Sequence, residues 1–95
     1  MENISVSIYR CYIDKNDFIY VYFQYDKKSK NIMAYIYDAY MRLTAILNSH
    51  DVDKDKIKDT INEILNKYNK SEKLSFSEFI AVTEILLTPT NGIRS

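Results

Sequence analysis

From Ser5 to Thr88 apolar residues recur every three or four positions without a strong breaker, because the only glycine and proline, Gly92 and Pro89, lie near the C-terminus. This spacing predicts helices. In the first segment Ile8, Cys11, Tyr12, Phe18, Tyr22 and Tyr25 form one stripe, with Ser5 or Ser7 available as the N-cap; "ISVSIYRCYI" also alternates with the period of a strand. A second stripe joins Tyr37, Tyr40, Met41, Thr44 and Leu47. A third helix opens on Asp51, Asp53 and Asp55, carboxylates suited to a helix N-terminus, and carries Ile57, Ile61, Ile64, Leu65 and Tyr68. The fourth begins with the capping box Ser75-x-x-Glu78, buries Phe79, Val82 and Leu86, and stops at Pro89. The expectation is an all-α domain of four helices over residues 1–88, with a short tail at 89–95. Phe18, Tyr22, Ile61, Phe79 and Val82 are expected to meet in one core.

Two connections repeat. "DKKSKNIMA" and "NKSEKLSFS" both run from lysine-rich and polar to an aliphatic residue before the next helix, and Ile32 corresponds to Leu74. Phe18, Tyr22 and Tyr25 precede Asp26, and Ile61, Leu65 and Tyr68 precede Asn69 in the same manner. The pattern resembles the EF-hand superfamily, a calmodulin-like or myosin light chain-like single lobe with degenerate loops. The resemblance implies a pair of EF-hand-like helix-loop-helix units joined by a β-bridge between Ile32 and Leu74. The same periodicity also fits a plain four-helix bundle without that bridge.

Neither loop suits calcium, which needs six to eight oxygens and a glycine at the sharp turn. After Asp26 come Lys27, Lys28 and Lys30; the second loop keeps Asn69, Ser71, Glu72 and Glu78 but is short and contains Lys70 and Lys73. "DVDKD" at 51–55 opens like a calcium loop, yet Lys56 stands at the glycine position, so these carboxylates read as helix-start residues. No metal or cofactor is expected.

Composition narrows the function further. With 95 residues, 46% hydrophobic and 14% aromatic, the chain can bury one core and make one domain. Thirteen basic and thirteen acidic residues cancel, which argues against nucleic acid or an anionic membrane as partner. A single cysteine, Cys11, permits no internal disulfide, and no long apolar run suggests membrane insertion, so a cytoplasmic location is expected. The richness in Ile, Lys, Asn and Tyr suggests an AT-rich genome. His50 is the sole histidine and reads as a loop residue or cap, and no glycine-rich phosphate loop exists. No enzyme is expected.

The resemblance implies a calcium-independent binding subunit that clamps an amphipathic helix of a larger protein. Its groove would be lined by Met41, Leu43, Ile46, Ile80, Ile85 and Leu87, apolar residues beyond those needed to close the core. The alternative is a small helical inhibitor or adaptor, viral or parasite, that binds a folded host surface through a tyrosine-rich face including Tyr9, Tyr12, Tyr20 and Tyr35.

Overall fold

The computed structural model describes residues 3–87, with side chains through Glu84. It overturns the all-α expectation. Five strands form one antiparallel sheet: β1 (Ile4–Tyr12), β2 (Phe18–Asp26), β3 (Asn31–Tyr37), β4 (Leu43–Ser49) and β5 (Lys70–Leu74). A 3-10 turn at Lys54–Lys56 leads into α1 (Ile57–Leu65), which lies between β4 and β5, and α2 (Phe76–Leu87) follows β5. The strand order is β4-β3-β2-β1-β5, so β4 and β5 are the two edges.

The first two predicted helices are strands because their residues also fit a period of two. On β2, Ile19, Val21, Phe23 and Tyr25 point to one face while Phe18, Tyr20 and Tyr22 point to the other. A strand apolar on both faces matches helical spacing by accident, and here it signals burial between two layers. Branched and aromatic residues dominate β1 to β3, which favours the pleated conformation.

The hairpins close without glycine. Asp14, Asp26 and Asp38 stand twelve residues apart, and each accepts a bond from the backbone N–H two residues on, at Asn16, Lys28 and Tyr40, all at 2.9 Å. Such Asx turns replace a backbone turn with a carboxylate oxygen. The connections also place Lys30, Met41 and Asp51 at φ of 60°, 63° and 56°, a left-handed conformation that costs a residue with a Cβ about 1–2 kcal/mol.

Two cores result, one on each face. Beneath α1, Ile61 and Leu65 pack with Cys11, Val21, Phe23, Tyr25, Ile32 and Ala34. The chain is tied to this face where the buried Tyr25 hydroxyl donates to the Val52 carbonyl at 2.6 Å. On the opposite face Phe79 of α2 packs with Ile8, Tyr20 and Leu74, and Phe18, Tyr22, Tyr37, Met41 and Val82 flank them. The expected single core is therefore divided. Phe18, Tyr22, Phe79 and Val82 meet, whereas Ile61 lies across the sheet.

The EF-hand resemblance falls on its own deciding contact. Ile32 pairs with Tyr25 and Ser49, Leu74 pairs with Ile8, and β2 and β1 separate them. Their side chains also belong to opposite cores. The last two expected helices are present in part: α1 runs only over Ile57–Leu65, with Lys56 at its N-cap, so Asp51 and Asp53 do not start it and Tyr68 lies past its end. In α1 the predicted Ile61 and Leu65 are buried, and at the start of α2 Glu78 N–H donates to Ser75 Oγ at 3.1 Å while Ser75 N–H donates to Glu78 Oε1 at 2.7 Å. Leu86 and the tail at 89–95 lie outside the residues whose side chains are described.

These turn and cap contacts carry a pH dependence. The backbone N–H of Arg42, then its side chain and the N–H of Tyr40, hold the Asp38 carboxyl below the usual carboxylate range. The Ser75 N–H, then its hydroxyl, does the same for Glu78. A depressed carboxyl contributes stability above its unfolded value and loses it as pH falls through the folded one. The melting temperature is expected to drop through the acidic carboxylate range, and to drop less in an Asp38→Asn, Glu78→Gln variant, which keeps hydrogen-bonding side chains but cannot titrate.

Candidate interaction edge

β4 differs from every other strand in being uncharged and exposed together, since the equally uncharged β3 is buried or half-buried. Its sequence, LTAILNS, carries no charge, and residues 43–48 are all exposed. The reason is architectural. α1 covers β1 to β3 on one face and α2 covers a patch centred on β1 and β2 on the other, so neither reaches β4. Leu43, Ile46 and Leu47 are left 51%, 48% and 39% exposed.

The pairing with β3 divides these side chains between faces. Ile46 stands opposite Tyr35, and Leu43 opposite Tyr37, on the α2 face; Leu47 stands opposite Ala34, and Ala45 opposite Ile36, on the α1 face. A register shift between Ile36 and Tyr37 bends the start of β4, where the Thr44 hydroxyl donates to the Ile36 carbonyl at 3.1 Å. From Ala45 to Ser49 the pairing is regular. In an antiparallel edge strand alternate N–H and C=O groups point away from the neighbour, and these are open for pairing.

The opposite edge is built differently. β5 has five residues, KSEKL, and three are charged. Glu72 pairs with Arg10 at 3.5 Å and with Lys70 at 3.4 Å, and it accepts from the Tyr12 hydroxyl at 3.2 Å. The Arg10 guanidinium sits 5.7 Å from the Phe18 ring centre and 5.6 Å from that of Tyr20. A short, charged strand of this kind discourages further pairing, whereas β4 carries no charge and its register shift is confined to its start, leaving Ala45 to Ser49 regular.

The expected groove residues are distributed as follows. Leu43 and Ile46 lie on β4 and Met41 in the preceding turn, where it packs beside the Phe79 cluster; Ile80 is exposed on α2. Ile85 and Leu87 lie outside the residues whose side chains are described. No EF-hand helix pair joins these positions into a trough. The tyrosines disperse too. Tyr20 is buried, Tyr9 packs edge-on against Phe23 at 5.8 Å on the α1 face, and Tyr12 is bonded to Glu72. Only Tyr35 of that group adjoins β4, with Tyr22 6.1 Å away. Tyr40, 70% exposed beneath the Arg42 guanidinium, is the more accessible ring.

The cysteine and the histidine lie apart in the fold. Cys11 is fully buried; burial pushes its thiol pKa up, against the lowering effect of the Ser71 hydroxyl 3.7 Å away. His50 Nδ1 lies 3.1 Å from Asn31 Oδ1 just past the end of β4. Among the described residues no group of three or more His, Cys, Asp or Glu could hold a metal ion. Asp26, which the EF-hand reading placed at the head of a loop, is bound to its own turn, and Asp53 pairs with Lys30 at 3.2 Å. A hollow of about 310 Å³ between β1 and α1 carries Lys54, Lys58 and Lys73 on its rim, beside Tyr9 and Asn62.

No protein-family model, curated protein or solved structure matches this chain. Among the described residues, no helix is long and apolar enough to cross a membrane.

The fold removes the EF-hand helix pairs on which the expected groove was built, and the edge is not legible in the sequence because exposure of a strand depends on its neighbours. One signal was available: "LTAILNS" is a seven-residue uncharged run rich in branched residues, and such runs favour strand pairing.

Proposed function

We propose that this chain is a non-catalytic protein-interaction module that takes up an extended segment of a partner as an added strand on the β4 edge. The observation that carries this reading is an uncharged edge strand exposed on both faces, in a sheet whose other edge is charged and short. Strand addition draws affinity from main-chain bonds and specificity from alternate side chains. Leu43, Ile46, Tyr35 and Tyr40 would meet the partner's side chains on one face, and Leu47 and Ala45 on the other.

Random peptides displayed on phage and selected on the immobilised protein provide the probe. Selected peptides are expected to alternate apolar and polar residues and to slow amide hydrogen exchange along β4. Leu47→Lys, which places a charge on an already exposed position, is expected to weaken binding at least tenfold while leaving the circular dichroism spectrum unchanged. Selected peptides that protect β5 or α2 and leave β4 unaffected would overturn the reading.

A further inference from the structure

Resting on that reading of the edge, we infer that the strand added to β4 is the β4 of a second copy of this chain, joined antiparallel about a two-fold axis through Ile46. Antiparallel pairing places directly opposite residues on the same face, so coherent faces require the axis to pass through a residue. Ile46 is the middle of Leu43–Ser49, and centring there pairs the regular stretch of the strand on both sides of Ile46, leaving the register shift at Leu43 and Thr44 at the ends of the joint. The resulting pairs complement each other. Ile46 meets its own copy on the α2 face, with Thr44 opposite Asn48, two side chains able to hydrogen-bond. On the α1 face small Ala45 stands opposite large Leu47.

Charge supports the same occupant. A strand that meets itself must avoid like charges across the axis, and residues 43–49 contain none. The first charge at the N-terminal end, Arg42, would stand opposite His50 of the second copy and beside its Asp51. Arg42 already bonds Asp38 at 2.7 Å yet keeps a largely exposed side chain, and Asp51 is exposed. Each end of the joint would therefore bring a base against an acid. Both helical layers continue across it, because a two-fold axis perpendicular to the sheet leaves each α1 on one side and each α2 on the other. The result is a ten-stranded sheet with β5 at both outer edges. The pairing of one strand from each copy lies at the small end of interface sizes, so a concentration-dependent dimer is expected.

Sedimentation of the full chain tests this. The mass is expected to rise from 11.3 kDa toward twice that value across the micromolar to millimolar range. Ile46→Lys, which sets two ammonium groups face to face, is expected to hold it at the monomer with an unchanged melting temperature. Position is tested by oxidation. Ile46→Cys lies on the axis and is expected to cross-link to its own copy, whereas Thr44→Cys stands about 13 Å from its copy and is expected not to. A monomer at every concentration overturns the inference but leaves strand addition standing if selected peptides still protect β4. A monomer whose β4 amides are already protected from exchange overturns it too, assigning the edge to another segment of the same chain. A dimer that cross-links equally through both cysteines places the contact elsewhere and also overturns it.

Discussion

Replacing Phe23 with alanine is expected to cost the fold about 3–5 kcal/mol, a large share of what holds a domain of this size together. Phe23 sits at the middle of the central strand β2, 2% exposed, with Ala34 of β3 and Ser7 of β1 as its cross-strand neighbours. Tyr9 meets its ring edge-on, and α1 closes the layer below. Truncation would open a cavity between a sheet and a helix that are each held by several other contacts, so little collapse is available to fill it. Equilibrium urea unfolding gives the number. A loss below about 1 kcal/mol would mean that the α1 face is not the packed layer described.

The second large effect separates the two cores. Phe79→Ala is expected to cost about 3–5 kcal/mol, because Phe79 anchors α2 against Tyr20 and Tyr22, with ring centres 6.3 and 5.8 Å away. Ile61→Val on α1 is expected to cost about 0.5–1.5 kcal/mol. The sheet stands between them, so the double variant is expected to lose the sum, with a coupling below about 0.5 kcal/mol. The mild change at Ile61 keeps the double variant folded enough to measure. A four-helix core would put the two side chains in one cluster, and a coupling above about 1 kcal/mol would favour that arrangement.

The pattern of apolar residues was legible, but its period was ambiguous. Phe18, Tyr22 and Tyr25 fit one helical stripe, yet Tyr25 faces α1 while Phe18 and Tyr22 face α2. When both faces of a strand are buried, nearly every position is apolar and several periods fit equally well. The absence of glycine misled for a related reason. Glycine and proline mark most turns, whereas this chain turns on aspartates, and the repeat of Asp14, Asp26 and Asp38 at twelve residues is a hairpin rhythm present in the sequence. The forty-two-residue repeat between Ile32 and Leu74 had no structural meaning, since aliphatic residues after polar turns begin or end strands as readily as helices.

The sequence by itself determined α1, the start of α2 and its capping box, because a one-sided apolar stripe and a Ser–Glu pair three residues apart are local chemistry that fixes local backbone. It also determined that residues 43–49 carry no charge. Only the tertiary structure decided that the first half of the chain pairs as strands, since β-structure is stabilised by partners distant in sequence and its propensity is weak without them. Only the tertiary structure, likewise, left β4 at an uncovered edge: two helices of nine and twelve residues cannot shield both faces of five strands, and the strand they miss keeps its side chains and its outward main-chain groups exposed.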